Sequence, residues 1–138
     1  ADVPWSAVYD DVQTTPDATA RTVRRKMRPP HIGHIDAGHY VSEDGGPRLR
    51  RSVIYARNCH GTAIHPTEKP SGLIEILIRT SSPQGGLVGD WFAGSGAAGE
   101  ACRLAGRRYL GCEIDADMAE LARGRIASVL PFTEGAQP

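Results

Sequence analysis

The stretch that decides the fold is Leu87–Glu113, LVGDWFAGSGAAGEACRLAGRRYLGCE. Leu87–Trp91 is a short apolar run that carries Asp90 near its end. Phe92-Ala93-Gly94-Ser95-Gly96 is a glycine-rich turn, Ala97–Leu104 a run of helix formers, and Gly106 a stop signal. Tyr109–Cys112 is a second apolar run, closed by Glu113. Strand, turn, helix and strand in that order predict an α/β unit with a pocket above the turn. Glycines let the backbone pass close beneath a ligand, and a helix start offers free N–H groups. An acid at the tip of the next strand, about 20 residues on, can accept from both hydroxyls of a ribose.

The turn is not the full dinucleotide pattern. It holds a G-x-G at Gly94 and Gly96, with Gly99 three residues later, rather than G-x-G-x-x-G at its usual place. Asp90 just ahead of the turn would repel a pyrophosphate and suits an amino group. An adenosine that carries an amino acid fits this arrangement better than a nicotinamide dinucleotide does.

Working outward, Asp115 offers a helix N-cap and Ala116–Leu130 reads as a helix buried along Met118, Leu121, Ala122, Ile126 and Val129. Pro131 ends it, and 131–138 reads as a tail. Upstream, His65-Pro66-Thr67-Glu68-Lys69-Pro70 sets a rigid bend before a helix over Ser71–Thr80, whose buried face would be Leu73, Ile74 and Leu77. Arg51–Arg57 is β-branched and partly alternating, which predicts a strand. Residues 1–50 are broken by prolines and glycines; loops, short strands and one short helix near Asp17–Met27 are expected there.

The chain has 138 residues, 40% of them hydrophobic and 23% charged, enough for one modest globular domain. No apolar run reaches the roughly 20 residues of a membrane span. Net charge is zero, but 21–28 carries five basic side chains and no acid, a candidate phosphate-contacting segment (Arg21, Arg24, Arg25, Lys26, Arg28) beside the reading of a solvated loop. Cys59, Cys102 and Cys112 lack paired spacing, which suggests a reducing, intracellular setting with Cys102 and Cys112 as small core residues. His31, His34, His39, Cys59 and His60 lack the paired cysteines of a zinc finger, and no metal is expected.

HPTEKP, a helix, and then GDWFAGSGAAGEACRLAGRRYLGCEID resemble the C-terminal portion of a site-specific DNA amino-methyltransferase. The resemblance covers 51–130 well and 1–50 loosely. It implies a Rossmann-like fold that binds S-adenosylmethionine, present here in part, and methyl transfer to adenine N6 or cytosine N4 in double-stranded DNA. It further implies that Asp90 faces the cofactor's amino group while Gly94, Ser95 and Gly96 line its methionine end. Phe92 would wall the pocket beside the methyl, Glu113 would bind the ribose, and Ile114 would pack on the adenine. Thr67 and Lys69 would help to hold the carboxylate, with His65 and Pro66 shaping the bend. Lys69 as a solvated charge and His65 as a helix cap stand as the plainer alternatives.

Two departures from the family pattern are tolerable: Trp91 stands for a proline, and Ala97-Ala98 for a small hydroxyl pair. A third matters more. Such enzymes carry a [D/N/S]-P-P-[Y/F/W] loop that receives the flipped base. Only Asp2-Val3-Pro4-Trp5 echoes it, so the catalytic residue is unassigned, with Asp2, Pro4 and Trp5 as its candidates. The motif order implies that the catalytic loop comes first, then target recognition, then the cofactor pocket. That order predicts a recognition-region end over 1–50, a cofactor-binding part over 51–130, and a catalytic loop upstream of Ala1 or on another chain. It leaves as partners an upstream half of the enzyme or a second copy, in a cell of bacterial or phage type. An inactive DNA- or partner-binding remnant is the alternative function, and a nucleotide-dependent oxidoreductase is disfavoured because it needs no HPTEKP segment.

Overall fold

Small side chains set the packing around the glycine-rich turn. The computed structural model describes residues 4, 7–27 and 37–130. Its contacts divide the chain into Val12–Arg51 and a second unit of Ala1–Asp11 with Ser52–Pro138. The first unit holds the strands β1 (Thr14–Thr15), β2 (Arg21–Arg25), β3 (Gly38–Ser42) and β4 (Arg48–Leu49). The second holds a helix α1 (Ser71–Ser81), a strand β5 (Leu87–Asp90), a helix α2 (Ala97–Leu104), a strand β6 (Arg108–Gly111) and a helix α3 (Ala116–Ser128). β5 and β6 run parallel, in the register Val88↔Tyr109 and Asp90↔Gly111. Parallel neighbours need a crossover rather than a tight turn, and α2 supplies it. The ladder continues past both strand ends. Gly85 N–H donates to Gly106 O at 2.8 Å, and beyond Asp90 the Ala93 N–H donates to Cys112 O at 2.9 Å. The glycine turn is thereby fastened to the outgoing end of β6.

Ala101 and Cys102 of α2 and its C-cap Ala105 are fully buried and meet Ile78 of α1, with Ile74, Val88 and Tyr109 packed around them. Alanine and cysteine at these positions let α1 come close to the crossover helix. Burial raises the Cys102 thiol to about 11, so it stays protonated and acts as a small apolar group. Asp115 caps α3, its side chain accepting from the Asp117 and Met118 amides at 3.0 Å each.

Several expectations are corrected here. Arg51–Arg57 forms no strand; Val53 and Tyr55 are exposed, because no neighbouring strand supplies a ladder for this segment. The buried side of α1 is Ile78 with Ile74, while Leu77 is exposed. On α3 it is Ala122 that is buried, Leu121 is exposed, and the helix ends at Ser128, where Val129 turns extended. Cys112 is exposed rather than a core residue.

In the unit Val12–Arg51, β1 (Thr14–Thr15) pairs antiparallel with β4 (Arg48–Leu49), and β2 (Arg21–Arg25) with β3 (Gly38–Ser42). The helix expected near Asp17–Met27 is therefore absent. Thr22 and Val23 are β-branched and pair opposite Val41 and Tyr40, which favours the strand. Ala18 is buried, and its backbone closes on Gly45 and Gly46. An Arg48–Asp17 ion pair at 2.5 Å ties this turn to β4. Outside this unit, the Asp11 N–H donates to Thr80 O of α1 at 2.9 Å. No helix among the described residues is long and apolar enough to cross a membrane.

Two glycines test the packing in opposite directions. A Cβ on buried Gly99 would run into the Ile126 side chain and stand 2.9 Å from Tyr109 Cε1, whereas one on Gly124 would meet nothing. Gly99→Ala should cost about 1–3 kcal/mol by overpacking, and Gly124→Ala should add roughly 0.5–1 kcal/mol by helix propensity. Calorimetric unfolding of both variants checks this; a neutral Gly99→Ala would mean that α2, α3 and Tyr109 do not meet as described.

Candidate functional site

At the outgoing ends of β5 and β6 the glycine turn forms the floor of a cavity of about 420 Å³, within the roughly 300–1,000 Å³ of small-molecule sites. Thr67, Lys69, Asp90, Phe92, Gly94 and Ser95 all border it. The left-handed backbone of Gly94 (φ 50°) brings it under the HPTEKP bend, so that a Cβ there would lie 3.8 Å from the His65 ring. Gly96, also left-handed at φ 76°, starts α2 and lies against Ala122, where a Cβ would approach to 2.9 Å. The two glycines are required for these turns and this close approach.

The polar groups of the cavity are held in place locally. Asp90 accepts from the Phe92 amide at 3.1 Å and from the Tyr109 hydroxyl at 3.3 Å. Burial first, then the charge of Asp90, pushes the Tyr109 phenol far above its ordinary value, so it remains a donor to that carboxylate. In the bend, the Thr67 amide donates to His65 Nδ1 at 3.3 Å and the Glu68 amide to His65 O at 3.0 Å. Lys69 Nζ donates to Thr67 O at 3.4 Å.

Glu113 stands one strand over. Its carboxylate accepts from the Asp115 amide at 3.1 Å and from the Gly94 amide at 2.7 Å. These two backbone N–H groups hold it below the usual carboxylate range. Glu113 borders a neighbouring cavity of about 280 Å³ between the end of β6 and α3, while the adjacent Ile114 is fully exposed and borders neither.

One part of the site escaped sequence reasoning. Arg125 of α3 reaches Glu68 of the bend at 2.9 Å, Glu100 of α2 at 2.6 Å and the Ser95 hydroxyl at 3.2 Å. Glu68 is 95% buried as a side chain, since only 5% remains exposed, and its other oxygen accepts from the Ile64 amide at 2.9 Å. The available signal was an arginine on the same helical stripe as Met118, Ala122 and Ile126, where a solvated charge would not stand.

The remaining candidates are not gathered here. Pro4 is exposed, and Asp2 and Trp5 lie outside the described residues, as do Arg28, His31, His34 and the tail 131–138. Arg21, Arg24 and Arg25 lie on exposed β2 with Lys26 just beyond it. The two-residue alternation of a strand splits them between its faces rather than making one patch. Among the described residues no group of three His, Cys, Asp or Glu could hold a metal ion.

The sequence profile of the N6/N4 methyltransferase family, described as DNA methylase, matches residues 4–124. The chain is 37% identical over 62 residues to the type II methyltransferase M2.DpnII of Streptococcus pneumoniae, a match over 45% of this chain and 23% of that protein. It is 39% identical over 67 residues to the type II methyltransferase M2.MboI of Moraxella bovis, over 49% of this chain and 24% of that protein. The matched stretch thus spans about a quarter of the length of either relative. The solved M1.HpyAVI–SAM complex is similar with a TM-score of 0.49 at 21% identity, over 76% of this chain and 63% of that chain, a likeness that bears on neither site nor substrate.

The Glu68–Arg125 pair has a pH signature. Burial works to raise the Glu68 carboxyl, but the Ile64 amide, the Ser95 hydroxyl and Arg125 together hold it below its ordinary 4.5. A depressed carboxyl stabilises the fold fully above the unfolded value and loses that contribution as pH falls through the folded value. Glu68→Gln should therefore cost about 1–3 kcal/mol at neutral pH and flatten the loss of melting temperature below pH 4.5. Thermal melts across that range check it; parallel pH profiles for both proteins would contradict the buried pair.

Proposed function

Because the chain belongs to the DNA methylase family, we propose that it is the cofactor-binding part of an enzyme that methylates DNA at an exocyclic amine, adenine N6 or cytosine N4, inside the cell. The carrying observation is that Asp90 and Lys69 border one cavity, with the Glu113 carboxylate fastened to the turn beside it. An anion and a cation on one cavity suit the zwitterionic end of an amino acid, and an accessible acid beside them suits a ribose. S-adenosylmethionine joins those two parts, and when bound it supplies a methyl on a sulfonium that an amine can take.

The chain's own residues then act by orientation. Asp90 receives the amino group, and Thr67 with Lys69 the carboxylate. Gly94 and Ser95 bring the backbone close, with Gly96 setting the start of α2. Glu113 accepts from the ribose hydroxyls, the exposed Ile114 covers the adenine, and Phe92 walls the side toward the methyl. Fixing the methyl in line with the amine is the main contribution of such a site to rate. The exposed β2–β3 ribbon, with Arg21, Arg24, Arg25 and Lys26 and with Arg28 following in the sequence, is the proposed DNA-contacting element. Such a ribbon has dimensions that the major groove admits.

The second reading is an inactive DNA- or partner-binding remnant. It differs from the first in predicting no methyl transfer to DNA even when the family's catalytic loop is supplied.

Calorimetric titration with S-adenosylmethionine tests the first reading. Saturable binding is expected, weakened about tenfold or more by Glu113→Ala as charge-assisted hydrogen bonds are lost. No binding by the folded chain would sink it. Binding without methyl transfer to DNA, even with the family's catalytic loop supplied on a second polypeptide, would favour the remnant.

A further inference from the structure

Arg125 stands outside both cavities, yet it touches both walls of the larger one. Its guanidinium meets Glu68 at 2.9 Å on the bend side and the Ser95 hydroxyl at 3.2 Å on the glycine-turn side. Glu68 lies between Thr67 and Lys69, and Ser95 between Gly94 and Gly96. A third contact, to Glu100 at 2.6 Å, fixes the guanidinium to α2, whose start the turn forms. Few other side-chain hydrogen bonds among the described residues hold the bend. Thr67 and Lys69 are exposed. Apart from the Glu68 contacts with Arg125 and the Ser95 hydroxyl, the side-chain hydrogen bonds of Thr67, Glu68 and Lys69 stay within residues 64–69.

The arginine is also chemically suited to the post. Its planar fork serves several acceptors at once, and it stays charged when partly buried. Two carboxylates flank it, so neither can be left without it at low cost. Glu68 is far more buried than an unpaired carboxylate tolerates.

We propose that Arg125 is a positioning residue of the cofactor pocket: it holds the 65–69 bend against the glycine turn, so that Thr67 and Lys69 face Asp90 across one cavity. This rests on the cofactor reading above. Arg125 touches no cofactor itself and acts through Glu68 and Ser95.

The control is Arg107, a second half-buried arginine with several hydrogen bonds at the opposite ends of the strands. It donates to Ser82 O at 2.6 Å and also to Arg79 O and Ala105 O. Arg125→Met, Arg125→Lys and Arg107→Met are compared by melting temperature, by amide exchange over 64–69, and by S-adenosylmethionine affinity below the melting range. Arg125→Met and Arg107→Met should both lower the melting temperature. Only Arg125→Met should speed exchange over 64–69 and weaken binding by about tenfold, the worth of one charged hydrogen bond; Arg125→Lys should recover part of both. Unchanged exchange over 64–69 in Arg125→Met would overturn the proposal. So would faster exchange with unchanged affinity, or an equal loss of affinity in Arg107→Met. If the unsubstituted protein binds no S-adenosylmethionine, the cofactor reading fails, and faster exchange would then reduce Arg125 to an architectural tie, which overturns a positioning role.

Discussion

The parallel pairing of β5 with β6 is the constraint on which the rest depends. Parallel strands end at the same edge, so the segments leaving them must meet there. β5 leads into the glycine turn, and β6 leads into Glu113. The ladder bond from Ala93 to Cys112 and the Gly94–Glu113 bond carry that pairing onward into the cavity-lining backbone. Asp90, the turn and Glu113 could not be neighbours in an antiparallel arrangement with the same sequence. The small residues of α2 answer to this constraint, because the crossover helix must lie close over two strands that it also connects.

Electrostatics completes the site from farther away in the sequence. The bend at 65–69 precedes β5 by a whole helix, and α3 comes after β6. One guanidinium joins both to the turn, with Glu100 on α2 as its second carboxylate. Burying such a group is costly unless every charge is matched. Here the Ile64 amide and the Ser95 hydroxyl satisfy positions that the ion pairs leave open. The result is a cavity bordered by both Asp90 and Lys69, a pair that suits the proposed zwitterionic ligand.

Much of this was legible in the sequence, for a physical reason that can be named. The turn glycines, the N-cap Asp115 and the helix over 97–104 are local signals, and local hydrogen bonding decides them. Residues whose placement depends on a distant neighbour were read less well. Arg51–Arg57 has strand composition but lacks a ladder partner, and β2 became a strand because β3 supplies one. Leu77 and Leu121 fit a helical stripe but point away from the packing that α2 defines. Arg125 gives no such local signal, because a charge in a stripe says nothing of its partners, here Glu68 and Glu100.

The central claim is that three separated segments make one cofactor cavity. Titrating the isotopically labelled protein with S-adenosylmethionine, with its backbone amides monitored throughout, tests that most directly. If the claim holds, amides of Thr67–Lys69, Gly94–Ala98 and Glu113–Asp115 shift together and saturate along one binding curve. Shifts confined to one of these segments, or falling only in residues 12–51, would contradict it.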